Sequence, residues 1–149
     1  MAKAAVESAV WDLYGKVVGA PLWELIGGVR GKQVRGGTVI GIMSTEDTLA
    51  EVDRAVAAGY DRVKIKITPD SCLEKVRAVR EKHPDLMIFL DANQSFTEET
   101  MDILYKLDAL NITCLEEPLD PNYTPTSGSK DLLGRLSLLQ DSIKTPICL

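Results

Sequence analysis

The sequence predicts an α/β fold, a partial (β/α)8 TIM barrel with a leading helix, about four βα units and a fifth strand, and three observations favour it. Short segments rich in Val and Ile alternate strictly with amphipathic helical segments, as in parallel sheets with right-handed crossovers. Lys66, Asp91 and Glu116 each close a predicted strand, at equal intervals of 25 residues. No glycine-rich phosphate loop follows the first strand, so a doubly wound sheet is the less favoured alternative.

The leading helix is predicted over residues 2–26, with a break at Ala20-Pro21 and an end at Gly27-Gly28. A fifth strand begins at Pro146. The four strands before it are rich in Val, Ile and Leu and are predicted over 33–42, 61–67, 86–90 and 112–115.

The helices between these strands are predicted from their first residues. Ser44 precedes two acidic residues and is an N-cap signal, residues 69–71 start the next helix, and a capping box runs from Ser95 to Glu98. Residues 120–130 are rich in Pro, Ser, Thr and Gly and are predicted as a loop. The last helix has an apolar face made of Leu132, Leu133, Leu136, Leu139 and Ile143.

The length predicts an incomplete barrel. A full barrel takes about 250 residues, whereas the chain has 149. We therefore expect residues 1–149 to be the N-terminal half of a barrel domain, with the leading helix and connector over 1–32 and the βα units over 33–149. A half barrel exposes two sheet edges, so we expect either self-association or further chain segments that complete it.

The composition excludes several classes of function. A net charge of −5 argues against a nucleic-acid partner, which requires a basic face. No run of about 18 apolar residues predicts a membrane span, and no secretory signal is present. Three widely spaced cysteines are typical of reduced thiols, which favours a cytoplasmic protein. His83 is the only histidine, which excludes zinc sites built on paired histidines within this chain, and we expect it to be a solvated residue at a helix end.

Two lysines share one face of the second predicted strand. Because side chains alternate along a strand, Lys64 and Lys66 lie opposite Val63, Ile65 and Ile67. The apolar set must pack under the helices, so both lysines are predicted to point into the barrel. The alternative is an edge strand whose lysines face water, which a strand with two neighbours disfavours.

Two carboxylates follow on the next strands. Asp91 and Glu116 close adjacent strands, and the active sites of barrel enzymes lie at the carboxyl ends of the strands. Asn93 shares a strand face with Asp91. Oxygen ligands of this kind suit Mg²⁺ or Mn²⁺. The alternative is an interior ion-pair network, which costs desolvation energy and contributes little stability.

These groups together suit removal of a proton next to a carboxylate. A divalent cation stabilises the negative charge that develops on the carboxylate oxygens, and a lysine with a lowered pKa can act as the base. A second hypothesis is an aldolase-like enzyme in which Lys66 attacks a carbonyl to form a Schiff base. That hypothesis leaves Asp91 and Glu116 without a role.

At these residues the chain resembles the enolase superfamily, in its muconate-lactonizing subgroup, and most closely the N-acylamino acid racemase / o-succinylbenzoate synthase family. A lysine or histidine base combined with Mg²⁺ is already known for enolase-superfamily sites. The resemblance covers nearly the whole chain, and the stretches that carry it are 4–13, 21–28, 39–42, 63–69, 91–96, 115–119 and 145–149.

The resemblance implies a role for each candidate residue. Lys66 would be one of two catalytic acid/bases, and Lys64 would tune it and contact the region of the substrate carboxylate. Asp91 and Glu116 would be the first two ligands of Mg²⁺ (or Mn²⁺), and Asn93 would hold one of these ligands or line the site. Members of the family also carry an N-terminal capping domain, a third acidic ligand after the fifth strand and a second catalytic lysine, none of which we identify in this sequence.

The implied activity is metal-dependent removal of a proton alpha to the carboxylate of a small-molecule substrate, through an enediolate. The enzyme would be an isomerase that racemises N-acylamino acids, or a lyase that forms o-succinylbenzoate in menaquinone biosynthesis. Another enzyme of the subgroup, such as a dipeptide epimerase or a muconate cycloisomerase, and an inert self-associating half barrel are the alternatives. We expect the 149-residue chain to be inactive by itself.

Overall fold

A computed structural model describes residues 2–31 and 35–149. The chain divides into two compact units, 1–34 and 35–149. The first unit contains helix α1, Ala2–Val18, and a short helix α2, Leu22–Leu25. The predicted break between them is confirmed, because Gly19 adopts a left-handed φ of 69° and Pro21 lies at the N-cap of α2.

The second unit is a five-stranded parallel sheet whose strands are ordered along the chain, from β1 to β5. The strands are β1 (Thr38–Ile40), β2 (Arg62–Lys66), β3 (Met87–Asp91), β4 (Cys114–Glu116) and β5 (Ile147–Cys148). The helices between them are α3 (Thr45–Ala57), α4 (Cys72–Lys82), α5 (Met101–Asp108) and α6 (Leu132–Ser142), and a 3₁₀ turn, Glu98–Thr100, precedes α5. A sequential strand order without reversal is that of a barrel, so the predicted partial (β/α)8 barrel is confirmed.

The two faces of the sheet have different characters. The side chains of Val63 and Ile65 on β2, and of Ile67 just after it, are fully buried. They belong to the apolar core formed with the covering helices, which includes Val52 and Val79. The opposite face carries the charged residues of the same strand. This alternation is the one the sequence predicts.

The register follows the equal spacing of the sequence. Lys66 pairs with Asp91, and Asp91 pairs with Glu116. The next pair, Glu116 with Cys148, is more widely separated in the chain, because residues 120–130 form the predicted loop without a helix or a strand.

The structure corrects two predicted boundaries. Of the strand predicted over 33–42, Gln33 and Val34 lie outside the described residues, and the described part is a strand only over Thr38–Ile40. The preceding Gly36 and Gly37 disfavour a strand. The capping box involves Thr97 and Thr100, not Ser95 and Glu98, because residue 96 pairs with residue 119 in a parallel bridge and delays the helix.

His83 is not the solvated residue that we expected. It caps the C-terminus of α4, its side chain is mostly buried, and its Nε2 lies 2.8 Å from Asp53 Oδ1 of α3. The histidine therefore joins two neighbouring helices at the end of the sheet away from the carboxyl ends of the strands.

No helix in the described part of the chain is long and apolar enough to cross a membrane.

The long loop is held by a buried arginine. Arg135 of α6 is only 3% exposed and donates from Nε to Glu98 Oε1 at 2.5 Å, and from Nη2 to Oε2 of the same carboxylate at 3.1 Å. Its Nη1 donates to the carbonyl oxygens of Asp120 and Tyr123, at 2.9 and 3.0 Å. One guanidinium therefore links the start of α5, the loop and α6.

We predict that Arg135→Ala lowers the free energy of unfolding by about 3–5 kcal/mol, the usual cost of breaking a buried ion pair. Urea denaturation followed by circular dichroism measures it. The control is Arg54→Ala, because Arg54 forms an exposed pair with Glu51 that should contribute no more than about 1 kcal/mol. Equal effects of the two substitutions would contradict the proposed anchoring role.

The segment ahead of β5 is held by a carboxylate. Asp108 Oδ1, at the end of α5, accepts hydrogen bonds from the backbone nitrogens of Lys144 and Thr145, at 3.0 and 2.7 Å. It also accepts one from Thr145 Oγ1 at 2.7 Å. Burial alone would raise the pKa of Asp108, but these hydrogen bonds outweigh it and hold the pKa below the ordinary value of 3.8.

We predict that Asp108→Asn destabilises the protein at neutral pH by about 1–3 kcal/mol. A carboxyl with a lowered folded-state pKa contributes stability above its unfolded-state pKa and loses it as pH falls through the folded-state value. The difference between the two proteins should therefore narrow as pH falls below 3.8. Urea unfolding over a pH series tests this, with Asp141→Asn as the control at an exposed aspartate of α6. A difference that does not change with pH would be the contrary result.

Candidate active site

The predicted site residues come together at the carboxyl ends of three adjacent strands. Lys66, Asp91 and Glu116 are successive register partners on β2, β3 and β4. Lys64 lies on the same strand face as Lys66, one alternation earlier, and Asn93 follows Asp91 directly after β3. All five side chains that the sequence predicts therefore converge on one face of the sheet.

The Asp91 carboxylate is the most buried member, with 2% of its side chain exposed. Its Oδ2 lies 2.9 Å from Lys64 Nζ and 3.6 Å from Lys66 Nζ. Its Oδ1 accepts hydrogen bonds from the Asn93 backbone nitrogen at 3.1 Å and from Asn93 Nδ2 at 2.7 Å. Burial alone would raise the pKa of Asp91, but the hydrogen bonds from Lys64 and Asn93 and the charges of both lysines lower it. The carboxylate therefore stays ionised.

Lys64 bridges the two carboxylates. Its Nζ donates to Glu116 Oε1 and Oε2 at 3.0 and 2.9 Å and also contacts Asp91. Its side chain is 29% exposed. The hydrogen bonds to Glu116 and then to Asp91 raise the pKa of Lys64 above its ordinary value, against the opposing effect of burial. Lys64 is therefore a fixed positive charge between two acids.

Lys66 is held less tightly. Its Nζ donates to Asn93 Oδ1 at 2.5 Å, and 35% of its side chain is exposed. Its distance to Asp91 Oδ2 is 3.6 Å, too long for a hydrogen bond. Of the two lysines, Lys66 therefore has the slightly more exposed side chain and fewer contacts with carboxylate oxygens.

Asn93 connects the amine of Lys66 to the carboxylate of Asp91. Asn93 adopts a left-handed φ of 42°, which asparagine tolerates better than most residues. The next residue, Gln94, also has a left-handed φ, of 62°. The turn is fixed by backbone hydrogen bonds to the next strand, from Ala92 N to Glu116 O and from Gln94 N to Glu117 O. The backbone of Glu117 links this turn to β5, because its nitrogen donates a hydrogen bond to the carbonyl oxygen of Cys148.

The donor set fits a hard divalent cation. Asp91 and Glu116 both direct carboxylate oxygens at one positive group, the Lys64 ammonium, and carboxylate oxygens are the ligands that Mg²⁺ prefers. Within residues 2–31 and 35–149 no group of three His, Cys, Asp or Glu side chains is arranged to hold a metal ion. Asp91 and Glu116 are two oxygen donors of the kind such a cation takes.

Two cysteines lie beside Glu116 on the sheet. Cys114 lies two residues earlier on β4, and Cys148 is the register partner of Glu116 on β5. Burial raises the pKa of Cys114, and proximity to and a hydrogen bond with Cys148 act in the same direction. Alternation along β4 predicts that Cys114 shares a face with Glu116, whereas the pairing of Cys148 with Glu116 was not predicted from the sequence.

Two family models match the chain. Residues 47–149 match the family described as enolase C-terminal domain-like, and residues 1–27 match the mandelate racemase / muconate lactonizing enzyme N-terminal domain. The chain is 41% identical to the o-succinylbenzoate synthase of Geobacillus kaustophilus, with 100% of this chain and 37% of that protein covered. It is also 41% identical to an N-succinylamino acid racemase of Thermus thermophilus, with 100% and 38% covered.

A crystal structure of an enolase-superfamily member from Listeria innocua superimposes with a TM-score of 0.83 at 35% identity, over 97% of this chain and 37% of that one. The chain thus spans little more than a third of the length of these relatives. The family match covers residues 47–149, more than half of the chain, and the chain therefore belongs to the enolase superfamily, in its mandelate racemase / muconate lactonizing enzyme group.

Proposed function

We propose that this chain contributes part of the active site of an enzyme that removes the proton alpha to a carboxylate, as an N-acylamino acid racemase or an o-succinylbenzoate synthase does. The observation that carries the proposal is the accessible Lys66 amine beside the ionised Asp91 carboxylate and Glu116. These groups lie at the carboxyl ends of adjacent strands, where barrel enzymes bind their substrates. Residues 1–149 would be the N-terminal half of the barrel domain, with the leading helix and connector over 1–32 and the βα units over 33–149.

Lys66 is the proposed base. Its Nζ takes the proton from the carbon next to the substrate carboxylate, and the product is an enediolate. The hydrogen bond from Lys66 to Asn93 Oδ1 orients the amine, and Asn93 is in turn held by Asp91. A base must lie within hydrogen-bonding reach of the proton it removes, so this orientation is a requirement of the reaction.

Lys64 has a different proposed role. Its amine is engaged by Asp91 and Glu116, which keeps it protonated and unsuited to accept a proton. As a fixed positive charge on the same face as Lys66, it attracts the substrate carboxylate and favours the negative charge that develops there.

Asp91 and Glu116 are the proposed ligands of Mg²⁺ or Mn²⁺. When bound, the cation supplies positive charge to the carboxylate oxygens of the substrate. The buried Asp91 has one oxygen fixed by Asn93, which leaves the other oxygen, Oδ2, directed into the site. The family resemblance adds a third acid after the fifth strand to this ligand set.

The substrate is proposed to be a small carboxylic acid, and the choice between racemase and synthase depends on groups outside this face. A dipeptide epimerase or a muconate cycloisomerase would use the same groups and pass through the same kind of enediolate. Because the chain spans about a third of its relatives, we propose that turnover belongs to a longer protein and that residues 1–149 alone are inactive.

We predict that Lys66→Gln lowers kcat by about 10²–10⁴-fold, the usual contribution of a general base. The assay follows exchange of the α-proton of an N-succinylamino acid in D₂O by NMR. The variant is made in a chimera in which residues 1–149 replace the matching segment of the Geobacillus kaustophilus enzyme. Residues 1–149 alone are assayed in parallel and should show no turnover.

The matched control for this substitution is Lys82→Gln, a lysine that forms an exposed pair with Asp53 far from the site. It should leave the exchange rate unchanged. Exchange at the unsubstituted rate in Lys66→Gln would refute the role of Lys66 as base. Borohydride trapping of a substrate adduct on Lys66 would instead support Schiff-base chemistry.

We predict that EDTA abolishes the exchange activity of the chimera and that Mn²⁺ restores it. Asp91→Asn should weaken Mn²⁺ binding by more than about tenfold, because the substitution removes a charged oxygen ligand. Isothermal titration calorimetry measures the affinity. The control is Asp85→Asn, at an exposed aspartate just ahead of β3, which should bind Mn²⁺ normally. Activity that persists in EDTA would exclude the proposed role of the cation.

A further inference from the structure

The row of side chains at the carboxyl ends of the strands is interrupted on the side of β1. The register of β1 with β2 ends at the pair Ile40 and Ile65, whose side chains face the core. The next residue, Gly41, therefore lies level with Lys66 on the inner face. Asp91 continues the row on the other side of Lys66. Within this row Lys66 has a carboxylate on one side and no side chain on the other.

The fold does not require a glycine at position 41. Gly41 is not among the described residues with a left-handed φ. A Cβ atom built on it would approach Met43 Cε at 4.0 Å, an ordinary van der Waals contact, and would meet no other described atom so closely outside its chain neighbours. Gly37, on the same face of β1, is different, because a Cβ atom there would lie 2.7 Å from Arg62 Nε. Gly41 therefore leaves an open space beside Lys66, which we call the Gly41 space.

The surroundings of the Gly41 space are apolar. Val39 lies one alternation below Gly41 on the same face and is 58% exposed, and Ile42, directly after Gly41, is 62% exposed. Met43 contributes the methyl group that lies nearest to the space. Ligand sites are lined mainly by apolar side chains, with a few polar groups that fix the orientation of the ligand. Exposed apolar side chains next to a row of charges are arranged in this way.

The contacts of Lys66 leave the side of β1 open. Its Nζ donates to Asn93 Oδ1 and lies 3.6 Å from Asp91 Oδ2, and both partners belong to β3 or to the turn after it. In the part of the chain that the structure describes, these are the recorded polar contacts of the amine. A substrate whose carboxylate lies at the two acids and whose α-carbon faces Lys66 therefore directs another substituent towards Gly41.

We propose that the Gly41 space is the subsite for the substrate side chain and that it accepts an N-acylamino acid with a large apolar side chain. The inference rests on the proposed function, which fixes the positions of the carboxylate and the α-carbon. The N-acyl group carries a polar amide, which is costly to place against apolar side chains such as Val39 and Met43. A hydrocarbon side chain fits these surroundings better, and Gly41 determines specificity because any side chain at this position would fill the space.

The test uses the chimera in which residues 1–149 replace the matching segment of the Geobacillus kaustophilus enzyme. Exchange of the α-proton in D₂O is followed by NMR, and kcat and KM are measured with N-succinylphenylalanine and with N-succinylalanine. Gly41→Ala should lower kcat/KM for the phenylalanine substrate by about 10–200-fold, the usual effect of one methylene group in an apolar pocket, mainly through KM. Exchange of the alanine substrate should be nearly unchanged. Gly41→Val should lower kcat/KM for the phenylalanine substrate further.

The matched control is Gly36→Ala, ahead of the opposite end of β1. A Cβ atom there would lie 3.5 Å from the ring of Tyr60, an ordinary contact, so this substitution should alter exchange of neither substrate. Mn²⁺ affinity, measured by calorimetry, should be the same in Gly41→Ala and in the unsubstituted chimera, because Gly41 has no side chain that could bind the cation.

Equal losses of kcat/KM for the two substrates in Gly41→Ala would overturn the proposal. An unsubstituted chimera that exchanges the alanine substrate but not the phenylalanine substrate would also overturn it. Both results would leave the proposed function in place, because that function depends on Lys66 and on the cation. Full exchange in Lys66→Gln, or in EDTA, would instead contradict the proposed function itself.

Discussion

A carboxylate that is almost completely buried must be neutralised by its neighbours, and at Asp91 this requirement organises the carboxyl ends of three strands. Its Oδ2 faces two lysine amines from β2, and its Oδ1 is satisfied by Asn93. Glu116 then shares Lys64 with Asp91. Each of these contacts exists only because β2, β3 and β4 are paired in one register, so a slip of one residue would turn the charges towards the apolar core.

Burying such a cluster of charges costs desolvation free energy that its ion pairs offset only in part. A buried ion pair commonly contributes less than a well-packed apolar pair of the same volume. The apolar face of β2, where Val63 and Ile65 are fully buried, shows that this chain does build a close-packed core where only stability is required. Charges on the other face, at the carboxyl ends of the strands, are therefore better explained by chemistry than by folding, which is why the expected effect of Asp91→Asn is on cation affinity.

Most of this arrangement could be predicted from the sequence, because the arrangement depends on two simple periodicities. Alternation along β2 separates Lys64 and Lys66 from the apolar set, and equal spacing of the units aligns Lys66 with Asp91 and Glu116. What the sequence did not predict depends on contacts between distant segments. The delayed start of α5 results from the bridge between residues 96 and 119, and the burial of His83 results from Asp53 on another helix. Cys114 and Cys148 lie on the neighbouring strands β4 and β5. The loop over residues 120–130 lengthens the unit between these strands, so the equal spacing of the other units does not predict their relative position.

The two lysines have different contacts because they occupy different positions along β2. Lys64 lies one alternation below the row of acids, and its long side chain extends upwards so that its amine comes between Asp91 and Glu116. Lys66 lies in the same row as Asp91, so its amine extends beyond the carboxylates, where Asn93 receives it. Two identical side chains separated by one residue thus become a fixed cation and an accessible amine. Exchanging Lys66 for a neutral residue should therefore remove the proposed proton acceptor and leave Lys64 to balance the charges of Asp91 and Glu116. Loss of turnover with retained binding of the proposed cation would separate the two roles.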